Sequence, residues 1–121
     1  MTKRVLIVED NELNMRLFDD LLTATGLETR QMLDGTGIVE VVEEFQPDLI
    51  VMDIQLPHRS GVELTKDIKS DARFQDIPIV AVTAFGNQES EQLVRDAGCI
   101  DYIQKPISVP VFLESINKHL G

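Results

Sequence analysis

The sequence runs to 121 residues, 43% of them apolar and 26% charged, with a net charge of −10. That is the length of one ordinary domain, with enough apolar material for a core and too much to be disordered. The acidic balance disfavours direct binding to nucleic acid or anionic lipid, no apolar run approaches the roughly 20 residues a bilayer requires, and the lone Cys99 precludes an internal disulfide or a cysteine metal cluster. The four residues before Val5 lead into a short apolar run that Glu9 ends, too brief for a signal-peptide core, so a cytoplasmic setting is expected.

Residues 4–9 contain Val5, Leu6, Ile7 and Val8, a β-branched run that predicts a strand buried on both faces. Asn11 is placed to cap a helix in which Leu13, Leu17, Phe18, Leu21 and Leu22 repeat at helical spacing, and Gly26 ends it. Residues 28–32 form a more polar strand, expected at a sheet edge. Residues 36–45 form a helix with Ile38, Val41, Val42 and Phe45 on one face, stopped by Pro47. Residues 48–52 are a second buried strand stopping at Asp53, residues 55–61 a loop with Pro57 and Gly61, and residues 62–69 a helix. Ile79 to Val82 make a third buried strand ending at Thr83. Residues 89–97 give a helix with a thin apolar face (Leu93, Val94, Ala97), ended by Gly98. Residues 101–104 are a short strand, Lys105 and Pro106 follow, and the last helix spans residues 109–120.

Five β-then-α units with short connections predict a single α/β domain over residues 1–121, a doubly wound parallel sheet in strand order 2-1-3-4-5. In such sheets the ligand site lies at the carboxyl ends of the strands, where the first and third separate. Those ends carry Glu9 and Asp10, Asp53, Thr83 and Lys105. Crowded carboxylates need a cation, and oxygen ligands with water suit Mg²⁺. A lysine and a threonine opposite that cation suit phosphoryl oxygens, and an aspartate can act as nucleophile toward phosphorus. The set thus points to Mg²⁺-dependent phosphoryl transfer onto an aspartate. Each residue alone has a plainer reading: Glu9 and Asp10 as helix-capping acids, Asp53 as a turn residue, Thr83 as a strand end, Lys105 as a surface lysine. Their convergence on neighbouring strand ends favours the joint reading.

Val8-Glu9-Asp10-Asn11, Met52-Asp53-Ile54-Gln55-Leu56-Pro57 with Ser60-Gly61, Val82-Thr83-Ala84 and Lys105-Pro106 resemble the bacterial response-regulator receiver domains of the CheY-like, flavodoxin-like superfamily. The resemblance runs from Lys3 to the last helix. Residues 9–15, Thr83-Ala84-Phe85 and residues 105–108 more narrowly resemble the stand-alone DivK-type cell-cycle regulators. It implies that Asp53 accepts a phosphoryl group from a kinase phosphohistidine. Glu9, Asp10, Asp53 and the backbone carbonyl of Gln55 would hold Mg²⁺, with Mn²⁺ a substitute. Lys105, Thr83 and the Ala84 backbone would bind the phosphoryl group, Tyr102 would act as a switch aromatic, and the Lys105–Pro106 bond would be cis. The rival reading of Tyr102 is a half-buried ring with its hydroxyl in water. Gln55 and Phe85 sit where side chains can screen an acyl phosphate from water.

The partners implied are sensor histidine kinases or phosphotransfer proteins at the crevice and first helix. Effectors would dock on the face made by the fourth helix, fifth strand and fifth helix. Nothing follows Gly121, so output is expected through protein–protein contacts and not through an attached effector. The implied chemistry is limited to the domain's own phosphorylation and dephosphorylation. A phosphohydrolase would want a second acid two residues after its nucleophile, where Gln55 stands, and a flavodoxin-like carrier would want a phosphate-cradling loop where Glu9 and Asp10 stand. A partner-binding domain that needs no phosphorylation is the third rival. His58 and His119 read as solvated surface residues and Cys99 as a small packed side chain.

Overall fold

The computed structural model describes residues 2–84 and 86–120, so Phe85, singled out above, lies outside the described residues. The chain alternates strictly: β1 (Arg4–Val8), α1 (Glu12–Ala24), β2 (Glu28–Met32), α2 (Ile38–Phe45), β3 (Leu49–Asp53), α3 (Gly61–Lys69), β4 (Ile79–Thr83), α4 (Gln88–Ala97), β5 (Asp101–Gln104) and α5 (Val109–Leu120). The five strands are parallel in the order β2-β1-β3-β4-β5, as the alternation predicts, with the polar β2 at an edge.

Continuous apolar strands follow from a sheet covered on both sides. Successive side chains point to opposite faces. Leu6, Val8, Ile50, Met52, Ile79 and Ala81 meet α2, α3 and α4 through Ile38, Val42, Leu64, Ile68 and Val94. Val5, Ile7, Leu49, Val51, Val80 and Val82 meet α1 and α5 through Met15, Phe18, Leu22, Phe112 and Ile116, with the Phe18 and Phe112 rings stacked 5.0 Å apart. Both strand pairs flanking β3 are in register at their carboxyl ends, Val8 opposite Met52 and Asp53 opposite Val82. Glu9, Asp53 and Thr83 therefore emerge on adjacent strands.

Three local expectations change. Leu13 and Leu17 share helical spacing with Phe18, yet they face outward at 79% and 38% exposure, and the buried stripe of α1 is Met15, Phe18 and Leu22. Leu93 on α4 is likewise 56% exposed, leaving Val94 and Ala97 to anchor that helix. His119 is largely buried, its Nε2 3.2 Å from Asp101 Oδ2, an oxygen that also accepts from the Ser115 hydroxyl.

One backbone position is open to improvement. Gln46, exposed at the end of α2, holds φ 52° and ψ 61° while its N–H donates to the Val42 carbonyl. A side chain in that left-handed region costs about 1–2 kcal/mol, against 0.5–1 kcal/mol for glycine's greater freedom when unfolded. Gln46→Gly is expected to stabilise the fold by about 0.5–1 kcal/mol, read as a higher urea midpoint with an unchanged slope.

Candidate functional site

Each site residue is placed by the end of a strand. Glu9 follows β1, and its own N–H extends the ladder by donating to the Met32 carbonyl. Its side chain is fully buried, with Oε2 accepting from the Asn11 N–H at 3.0 Å. Asn11 in turn caps α1 by accepting from the Asn14 N–H, so the acid pair sits where a helix begins. Asp10 is exposed and opens the cluster to water. Asp53 ends β3 almost wholly buried, and its Oδ1 accepts from the Gln55 N–H at 3.0 Å. The Ile54 N–H donates to Val82 and the Gly61 N–H donates back to Ile54, which fixes the turn after β3 against β4 and α3.

Lys105 is tied down through its backbone N–H, which donates to the Thr83 carbonyl at 2.7 Å, and its bond to Pro106 is cis. Its Nζ lies 3.0 Å from Glu9 Oε1 and 3.5 Å from Asp53 Oδ2, one ammonium between two buried carboxylates. The approach to Glu9 Oε1 misses hydrogen-bonding geometry, and that buried oxygen has no hydrogen-bond partner. Glu9, Asp10 and Asp53 each offer a carboxylate oxygen, all within 4.8 Å of one another. The Asp53 carboxyl is held above the usual range, first by burial and then by the neighbouring Glu9 carboxyl. The Gln55 N–H and the Lys105 charge work against this. A buried oxygen without a hydrogen bond, an all-carboxylate donor set and one open side suit a hard divalent cation that keeps part of its water, as Mg²⁺ does.

Thr83 is buried at the end of β4 and Ala84 is exposed just beyond it. The Ala84 N–H donates to Gln55 Oε1 at 3.0 Å, so the side chain of Gln55, and not only its backbone, engages the site. Spacing offered no sign of that contact, which joins residues 29 apart in sequence. Tyr102 is half-buried against the core cluster on the α3 and α4 side, where burial and the Glu91 carboxylate hold its hydroxyl above its ordinary pKa. Cys99 packs beside Thr65 away from the crevice, and burial pushes its thiol up to about 11. His58 is exposed.

The family profile of the response regulator receiver domain matches residues 5–117. A curated relative named polar-differentiation response regulator DivK, from Brucella ovis, is 53% identical over 121 residues, covering all of this chain and 98% of the relative. The receiver domain of a sensor histidine kinase from Pseudomonas aeruginosa, solved with a magnesium ion coordinated in its active-site cleft, superposes with a TM-score of 0.90 at 28% identity, over 100% of this chain and 99% of that one. A CheY-like response regulator receiver domain protein from Methanospirillum hungatei gives a TM-score of 0.91 at 26% identity, over 99% of this chain and 94% of that one.

Proposed function

Because the chain belongs to the response regulator receiver family, we propose that it accepts a phosphoryl group on Asp53 and signals by changing which proteins it binds. The observation that carries this reading is the buried Asp53 carboxylate held against Glu9, Asp10 and Lys105 at the carboxyl end of the sheet. A carboxylate oxygen of Asp53 attacks the phosphorus of a partner's phosphohistidine. The P–N bond breaks, and the imidazole nitrogen keeps its electron pair and takes a proton from solvent. Lys105 pairs with a phosphoryl oxygen as a point charge. The Thr83 hydroxyl and the Ala84 N–H donate to the others. Tyr102 follows Thr83 and passes the change to the face made by α4, β5 and α5.

Glu9, Asp10, Asp53 and the Gln55 carbonyl would hold Mg²⁺, or Mn²⁺ with the same preference for oxygen. When bound, the cation supplies positive charge against the carboxylates and the phosphoryl oxygens. The domain acts on no separate substrate in this reading; it catalyses its own phosphorylation and dephosphorylation.

The partners follow from the exposed apolar residues. Leu13 and Leu17 stand on α1 beside the crevice and suit a histidine kinase, a phosphatase or a phosphotransfer protein. Leu93 on α4, Ile100 in the segment before β5 and Val111 on α5 suit an effector. The near-complete mutual coverage with the DivK relative supports one receiver domain over residues 1–121 with a role in cell-cycle or cell-pole control. Among the described residues no helix is long and apolar enough to cross a membrane. With the strong negative charge and a packed free cysteine, this supports work in the cytoplasm without direct nucleic-acid binding.

Intact-mass analysis after incubation with acetyl phosphate and Mg²⁺ tests the assignment. One phosphoryl adduct is expected, lost in Asp53→Asn and lost with EDTA. A folded protein that forms no adduct under any of these conditions would turn the reading to a binding module independent of phosphorylation.

A further inference from the structure

Gln55 joins Asp53 to the loop between β4 and α4 at two points. Its backbone N–H donates to Asp53 Oδ1, and its side-chain Oε1 accepts from the Ala84 N–H, each at 3.0 Å. Ala84 lies two residues past Val82, the Cα partner of Asp53 in the sheet, so its N–H leaves β4 next to the acidic cluster. A backbone N–H at that place is a donor for an oxygen of any anion seated on Asp53. In the resting protein a neutral amide oxygen already takes it. Gly86, farther along, lies against the exposed Gln104 side chain, where a Cβ would fall 2.2 Å from Gln104 Oε1.

We propose that Gln55 is a latch on the β4–α4 loop, its amide oxygen standing in for the phosphoryl oxygen that binds the Ala84 N–H. Phosphorylation then proceeds by exchange of one acceptor for the other, and Gln55 sets both the resting position of the loop and the affinity of the site for a phosphoryl group. The exchange runs forward because a charged oxygen is the stronger acceptor of the same N–H. A neutral hydrogen bond of this kind is equivalent to roughly two- to tenfold in an equilibrium constant. This exchange rests on the reading of Asp53 as phosphoacceptor, whereas the latch is a property of the resting protein.

Gln55→Met keeps the length and bulk of the side chain and removes the acceptor. In the resting variant the Ala84 amide resonance is expected to move upfield and its exchange with solvent to speed up. Gln55→Glu, which restores an acceptor, is expected to return the resonance downfield. Beryllofluoride with Mg²⁺, a phosphoryl analogue, is expected to bind Gln55→Met about two- to tenfold more tightly than wild type. Once it is bound, the Ala84 resonances of the two proteins are expected to coincide. An Ala84 resonance that does not respond to Gln55→Met overturns the latch, and equal or weaker beryllofluoride binding overturns the exchange. Wild type that takes up neither beryllofluoride nor a phosphoryl group marks failure of the phosphoacceptor reading, and the Ala84 resonance then decides the latch by itself.

Discussion

Asp53→Asn is expected to melt at a higher temperature than wild type in EDTA at neutral pH, by an amount that grows as the pH rises. Asp53 is almost wholly buried, and its carboxyl is held above the usual range mainly by that burial. In the unfolded chain it returns to an ordinary value of about 4. Between those two values the folded state binds more protons than the unfolded one, so stability is full below about pH 4 and declines as pH rises toward the raised folded value. Asparagine has the same shape and no proton to lose. The variant escapes the decline, and its advantage at neutral pH is roughly 1–3 kcal/mol, the cost of an imperfectly compensated buried polar group. Thermal scans in EDTA from about pH 5 to pH 8 check it. A difference that stays flat with pH would sink the argument.

Adding Mg²⁺ is expected to reverse the order. A cation that binds only the folded state stabilises by about 2.7 kcal/mol at a hundredfold excess over its dissociation constant. Wild type offers Glu9, Asp10 and Asp53, with Glu9 Oε1 still lacking a hydrogen bond. The variant has lost one of the three carboxylates, so its melting temperature is expected to respond little. The same pair of scans thus separates an acidic cluster that holds a cation from one that merely tolerates crowding.

The strands were legible because a sheet covered on both faces writes itself as unbroken apolar runs, which Val5 to Val8, Leu49 to Met52 and Ile79 to Val82 are. Alternation with helices then dictated the order of the strands, and the order dictated which strand ends meet. Helix faces were less legible. Met15, Phe18 and Leu22 form the buried stripe of α1, but leucines at 13 and 17 mimic one from the other side. Residue type alone does not tell a core leucine from one kept outside for a partner. Contacts between elements distant in the chain were not legible at all. His119 on α5 reaches Asp101 on β5, and Gln55 reaches Ala84, only because the fold closes those gaps.

Gly61 shows the same limit, since a glycine after Pro57 reads as loop punctuation and is instead the first residue of α3. Gly61→Ala is expected to destabilise the protein by about 2–3 kcal/mol, despite alanine's better helix propensity. A Cβ at this position would fall 2.3 Å from the Asp53 carbonyl oxygen and 2.9 Å from Ile54 Cα. Both are backbone atoms, held by the bonds from Ile54 N–H to Val82 and from Gly61 N–H to Ile54, so neither can rotate away as a side-chain tip would. Relief requires α3 to lift from β3, which pulls on the residue that carries the carboxylate. Helix propensity returns at most about 1 kcal/mol, and less at a helix's first position than in its middle, so the clash decides the sign. Urea titration reads the loss of stability, and Mg²⁺-dependent melting reads the displacement of Asp53, which is expected to weaken cation binding. A Gly61→Ala protein as stable as wild type and equally responsive to Mg²⁺ would show that the approach of α3 to β3 is not tight, and the Asp53 geometry described above would have to be redrawn.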